Sequence, residues 1–232
     1  EIKTWLTDID KSGSSNNLVS STFNAVKKFT FQSFEEYKNQ FSYFLLPPHG
    51  DNLFAILFDR EDIYDEFVPM FEKHGQNLVL DTGQTALEVQ KNIKGRIYSY
   101  PYSSVADTLQ RIIFYLSAIE SNKYSVLIFE EPEAHAFPPY TKMLAQRIAN
   151  DEDNQYFLTT HSPYLLKTLV GNTPLPDLNV SVVYYEDYQT KVHSIPKEHI
   201  EDILYKKEWD EDVFFNLDQL RNYGKQGSEV SR

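Results

Sequence analysis

Apolar positions along the chain change period several times, and each change marks an element. Between Asn52 and Phe71, the residues Leu53, Ile56 and Leu57, then Ile63, Phe67, Met70 and Phe71, fall at helical spacing and predict two short helices. Val79-Leu80, Leu87-Glu88-Val89-Gln90 and Ile97-Tyr98-Ser99-Tyr100 read as strands, the last two folded into a hairpin across Asn92-Ile93-Lys94-Gly95. Val105, Leu109, Ile112, Ile113, Leu116 and Ile119 form one stripe of a longer helix, with Tyr102-Ser103-Ser104 supplying hydroxyls to its N-terminus. Pro138-Pro139 can start another helix, whose inner face would be Tyr140, Met143, Leu144 and Ile148. Ser162-Pro163 reads as the cap and first turn of a helix over Leu165, Leu166 and Leu169. Val180 to Tyr185 and Val192 to Ile195 predict a strand pair around Glu186-Asp187, and Lys197 to Leu204 a short helix.

Two apolar runs end abruptly in chemistry. Val126-Leu127-Ile128-Phe129, bounded by the turn-like Ser121-Asn122-Lys123, predicts a buried strand and runs directly into Glu130-Glu131-Pro132-Glu133-Ala134-His135. Tyr156-Phe157-Leu158-Thr159-Thr160 reaches His161-Ser162-Pro163 in the same way. In parallel α/β sheets ligands bind at the C-terminal edge, because the strands stop there and the loops diverge. Adjacent acids after a buried strand are less easily explained as solvated surface than acids elsewhere. His135 lies four residues after Glu131, but Pro132 opposes a regular helix through that stretch. His49, His74, His193 and His199 have no partners at ligand spacing and read as surface residues.

At these residues the chain resembles the ABC-type ATPases of the RecF, SMC and OLD-like branch, over roughly residues 50 to 185. Leu-Ile-Phe-Glu-Glu-Pro-Glu-Ala-His looks like their Walker B strand and D-loop, and Thr-Thr-His-Ser-Pro like their switch-histidine segment. The resemblance implies an α/β, P-loop NTPase-like C-terminal lobe with parallel core strands, flanking helices and a peripheral β-hairpin. It implies ATP and Mg2+ as cofactors, and a homodimer closed around ATP that gates a nucleic-acid-processing or antiviral-defence effector, such as an effector nuclease. By position, Glu131 matches the catalytic glutamate that polarises the attacking water, and Glu130 the magnesium-binding Walker B acid, which is usually an aspartate. His161 matches the γ-phosphate contact, and Glu133 with His135 the D-loop. The signature element falls opposite Val105-Ala106-Asp107, where the usual glycine is Asp107, so Ser103, Ser104 and Thr108 are the candidate phosphate contacts in trans.

No Gly-x-x-x-x-Gly-Lys-Ser/Thr occurs, and Gly224-Lys225 is followed by Gln226. The chain therefore reads as the C-terminal part of a longer ATPase, inactive until a P-loop-containing N-terminal lobe joins it. The expected organisation is 1–50 as a remnant of a first lobe or arm, with the Ser/Asn-rich Lys11 to Asn17 as a flexible linker. Residues 51–222 would be the ATPase lobe and 223–232 a disordered tail. Two other function classes compete. One is a non-hydrolysing dimerisation or interaction module, suggested by the absent P-loop and Asp107. The other is a metal-dependent nuclease using Glu130, Glu131, Glu133 and His135.

Composition narrows this picture. The absence of cysteine excludes disulfides and thiol catalysis and suits a cytoplasmic location. No run approaches the roughly eighteen apolar residues of a membrane span. A net charge of −12 argues against a broad phosphate-backbone footprint, so contact with nucleic acid is expected to be indirect or through missing regions. The numerous Tyr and Phe read as core and interface packing.

Overall fold

The computed structural model describes residues 25–201. Within them the chain forms two compact units, 25–140 with 151–159 and 141–150 with 160–201.

The first unit is built on a parallel sheet in the order β1 (Val26–Phe29), β5 (Val126–Glu130), β6 (Gln155–Thr159). Hydrophobic periodicity does not predict β1, because Lys27 and Lys28 interrupt it. The register Lys27↔Leu127 and Phe29↔Phe129 puts Lys27 on the same face as the buried Phe29, Leu127 and Phe129. Its ammonium donates to Asn122 Oδ1 at 2.6 Å and lies 3.7 Å from the centroid of the Phe44 ring. Burial pushes its pKa down to about 8. The strand thus carries a charge into the core by giving it a hydrogen bond and an aromatic face.

Helix α3 (Asp107–Ser121) lies on this face. Phe114 meets Phe29 edge-on at 6.0 Å and Tyr115 meets Phe129 at 5.0 Å. Helix α1 (Leu53–Asp59) packs against α3, and α2 (Glu61–Glu72) is tied to β2 (Asn77–Asp81) by the Tyr64 hydroxyl, which donates to the Leu78 carbonyl at 2.7 Å. These are the two short helices expected from spacing alone. The aromatic stretch before them is a packed loop. Buried Asn52 accepts from the Leu46 amide and donates to the Phe41 and Phe44 carbonyls, while the Leu45 amide donates to Ser121 Oγ. The border between the two units cuts α4 (Pro138–Ala149) and follows Thr159.

A separate antiparallel sheet, β2–β3–β4, uses β3 (Ala86–Ile93) and β4 (Arg96–Pro101). The expected hairpin turn is a two-residue Lys94-Gly95 link with φ 51° and 80°, and the Gly95 amide donates to Asn92 Oδ1. Both residues lie in the left-handed region that such a turn requires.

In the second unit, α5 (Pro163–Asn172) begins as expected. Ser162 Oγ caps it by accepting from the Leu165 amide at 3.3 Å. β7 (Ser181–Glu186) and β8 (Gln189–Ser194) form the expected hairpin, turning through Asp187 and Tyr188 at φ 53° and 61°. Val170, Val182, Ile195 and Ile200 make its small core, Ile200 coming from α6 (Lys197–Ile200). The buried positions of α4 are Thr141, Leu144, Ala145 and Ile148. That face is rotated from the expected one, since Tyr140 and Met143 are only half-buried. The architecture is the expected α/β class, with a parallel core sheet, helices and peripheral hairpins. Residues 1–24 and 202–232, with the expected linker and tail, lie outside the described residues. Among the described residues no helix is long and apolar enough to cross a membrane.

Candidate active-site edge

β5 and β6 run parallel and end together, with Glu130 opposite Thr159. Glu130 closes β5 and Glu131 follows it, so both residues stand at the C-terminal edge of the sheet, where loops diverge in parallel α/β folds. The Glu130 side chain is 64% exposed and forms an ion pair with Lys28 Nζ at 3.3 Å. The register places Lys28 beside Ile128, two positions before Glu130, so both project from the same sheet face. Nothing in the sequence pairs Lys28 with Glu130, because the β1–β5 register is a tertiary fact.

Glu131 turns the chain. Its φ is 43°, and its amide donates to the Thr159 carbonyl at 3.0 Å and to Thr159 Oγ1 at 3.3 Å. A non-glycine residue in this region is unfavourable unless the surroundings hold it there, and such strain clusters at functional sites. Here the neighbouring strand supplies the hold. Two tight turns follow, Ala134 donating to the Glu131 carbonyl and Ala136 to the Glu133 carbonyl. Glu133 is buried, whereas His135 is exposed and again left-handed at φ 61°.

Thr108 Oγ1 of α3 donates to the His135 carbonyl in the segment 131–136 at 2.5 Å. The structure therefore joins two stretches that the sequence presents 27 residues apart. The other hydroxyls expected to serve the helix do not cap it. Residues Tyr102–Ser104 form a separate 3-10 turn, and α3 begins at Asp107 after Ala106, with no side-chain cap. Ser104 Oγ donates to the Pro101 carbonyl at 2.7 Å. The Ser103 and Val105 carbonyls accept from buried Gln110 Nε2, whose Oε1 accepts from Ser33 Oγ. Gln110, which sequence reasoning did not single out, fixes this loop. Asp107 Oδ2 accepts from Arg111 Nε at 2.6 Å, an i,i+4 pair that offsets its charge at the helix start.

His161 belongs to the second unit, two residues beyond Thr159 in sequence. It is exposed, and the Ser162 amide beside it donates to Thr160 Oγ1 at 2.9 Å.

The Glu130 carboxylate is exposed, so meeting a hydrated hard cation there would need no desolvation. Among the described residues no three His, Asp or Glu side chains converge as a metal-holding group. The four-residue ligand set of the nuclease reading is therefore not assembled.

A family model described as "AAA ATPase domain" matches residues 2–166. A curated relative, the Retron Vc95 probable ATPase of Vibrio cholerae serotype O1 biovar El Tor, is 26% identical over 93 residues. That stretch is 39% of this chain and 17% of the relative, so the chain matches only a small part of it. Among solved structures, a chain from work on ATP-driven dimerization and DNA-stimulated activation of SMC ATPases is 17% identical, with a TM-score of 0.44. The alignment covers 65% of this chain and 94% of that one. An SmcHead bound to the C-winged helix domain of ScpA is 18% identical, covering 62% of this chain and 46% of its own, with a TM-score of 0.43.

Proposed function

The chain belongs to the AAA ATPase domain family, and from that premise we propose that its β5–β6 edge is the hydrolytic half of an ATP site, with Glu131 orienting the attacking water. The observation that carries this reading is the strained backbone of Glu131, pinned by Thr159 at the C-terminal edge of a parallel sheet. Phosphoryl transfer rests on positioning and charge neutralisation, so a carboxylate fixed in place is the group the reaction needs. Glu130 would hold magnesium, and the ion when bound would neutralise phosphate charge. Lys28 keeps the Glu130 side chain directed along its sheet face. His161 is assigned the γ-phosphate contact, and Glu133 with His135 the D-loop contact, on their motifs alone.

The missing P-loop is supplied by an N-terminal lobe. Two copies close around ATP and reopen after hydrolysis, passing the change to a nucleic-acid-processing or antiviral effector in the cytoplasm. One observation favours a limited departure. Ser104 and Thr108 spend their hydroxyls on the chain's own carbonyls. The signature contacts in trans are therefore weak in this protein, and in that respect it approaches the interaction-module reading.

The test is Glu131→Gln in the chain assembled with its P-loop lobe. Loss of the water-orienting carboxylate lowers kcat by about a hundredfold or more while ATP binding persists. Unchanged turnover removes Glu131 from the mechanism.

A further inference from the structure

The chain is acidic overall, but its charge is not evenly spread. From Val89 to Ala106 there is no carboxylate, and Lys91, Lys94 and Arg96 stand close together. The hairpin sorts these residues by face. Pairings Val89↔Tyr100, Lys91↔Tyr98 and Ile93↔Arg96 put Lys91, Ile93, Arg96, Tyr98 and Tyr100 on one side. Glu88, Gln90, Asn92 and Ser99 take the other, where Ser99 Oγ donates to Glu88. The nearest acid is thereby turned away from the cations.

β2 pairs only with Ala86 to Gln90, so β3 and β4 continue past it as a two-stranded ribbon. All residues from Lys91 to Pro101 are exposed. Tyr98 and Tyr100, on the side that buries Leu87 and Val89 further back along β3, are 41% and 47% exposed. Lys91, Lys94 and Arg96 make no ion pair with any described residue. Alternate residues on a strand lie about 7 Å apart, so two rings and flanking cations are presented side by side on the ribbon.

We infer that this face of the β3–β4 ribbon docks a single nucleic-acid strand, its bases stacking on Tyr98 and Tyr100 and its phosphates meeting Lys91, Lys94 and Arg96. Charge complementarity selects the occupant. A cationic, carboxylate-free surface bearing exposed aromatics suits a polyanion with π faces, and stacking on aromatics is the sequence-tolerant way to hold one strand. The chain's net charge of −12 does not forbid this, because at physiological salt charges beyond about 8 Å are screened and the local cations dominate. The ribbon belongs to a different sheet from the β5–β6 edge, and its role does not depend on ATP hydrolysis.

The test is fluorescence anisotropy of the 232-residue chain with labelled oligodeoxythymidylate of about 20 nucleotides, and with a duplex of the same length. The chain binds the single strand in preference to the duplex. Tyr98→Ala with Tyr100→Ala weakens binding about tenfold or more, and the paired Phe substitutions retain it. Lys91→Gln with Arg96→Gln weakens binding and lowers the slope of log K against log salt by about 1.4. Melting temperature tracks folding throughout, and the four exposed positions leave it unchanged. Absence of binding at low salt, equal binding by every variant, or a duplex preference insensitive to the tyrosines overturns the inference.

Discussion

At the scale of single residues, two side chains carry a cost that can be measured separately from their role. Glu131 sits at φ 43°, where a Cβ is penalised by roughly 1–2 kcal/mol and glycine is not. Glu131→Ala and Glu131→Gly both remove the carboxylate and everything it touches, so their difference isolates the backbone. Glycine is more flexible when unfolded and gives back part of the gain. Glu131→Gly should still unfold at higher denaturant than Glu131→Ala, by about 0.5–1 kcal/mol, while neither supports hydrolysis. Lys27 makes a different prediction. Burial holds its pKa at about 8 against 10.5 for the free side chain. Below pH 8 both folded and unfolded chains carry the proton, and the fold bears the full penalty of an enclosed ammonium. Between pH 8 and 10.5 the unfolded chain binds more protons, so this residue makes stability rise with pH. Buried Tyr115, its pKa raised by desolvation, works in the opposite direction once the unfolded hydroxyl begins to ionise near pH 10. Urea titrations from pH 7.5 upward, below the range where unfolded tyrosines ionise, therefore report chiefly the lysine, and Lys27→Met should flatten the rise. A slope equal to that of the unsubstituted chain would show that the ammonium is not desolvated.

At the scale of elements, legibility depended on whether a signal was local. The Lys94-Gly95 hairpin, the Ser162 cap and the two helices between Leu53 and Glu72 all rest on interactions within a few residues, and each formed where the pattern placed it. β1 did not declare itself, because Val-Lys-Lys-Phe lacks alternation until Asn122 and Phe44 arrive from elsewhere in the chain to accept Lys27. The buried face of α4 departs from the apolar pattern for a related reason. Thr141 and Ala145 are small enough to be buried but too weakly apolar to draw attention. Among the candidate site residues, the motif order identified Glu130 and Glu131, but neither Lys28 nor Gln110, whose parts are set by register and by a loop closing over a helix. The Thr108–His135 bond belongs to this level, because it joins α3 to the 131–136 segment. Thr108→Val keeps the shape and removes the donor. Its cost should be about 0.5–1.5 kcal/mol, the ordinary worth of one such bond. Hydrogen exchange at the 131–136 amides should speed up while the β5 amides stay protected. Equal protection in both proteins would mean that the bond does not hold the segment.

At the scale of the whole molecule, the charge distribution decides whether this chain can hold a nucleotide by itself. The proposed site presents Glu130 and Glu131 at a sheet edge, on a chain of net charge −12, and it contains no P-loop to surround a triphosphate with amides and a lysine. Magnesium softens the repulsion between ATP and two carboxylates but does not replace that cradle, and the ion retains most of its own water. Calorimetric titration of Mg-ATP into the chain alone should therefore give binding weaker than about 1 mM, which corresponds to little more than 4 kcal/mol. The same titration after mixing with a P-loop-bearing lobe should give saturable binding and a higher melting temperature, because a ligand specific for the assembled state stabilises it by mass action. Glu131→Gln should keep that binding while losing turnover, because the role proposed for the carboxylate is on water and not on the phosphates. Tight binding by the chain alone would place the nucleotide away from the β5–β6 edge. Lack of binding in the mixture would leave the strained glutamate without a substrate to act on.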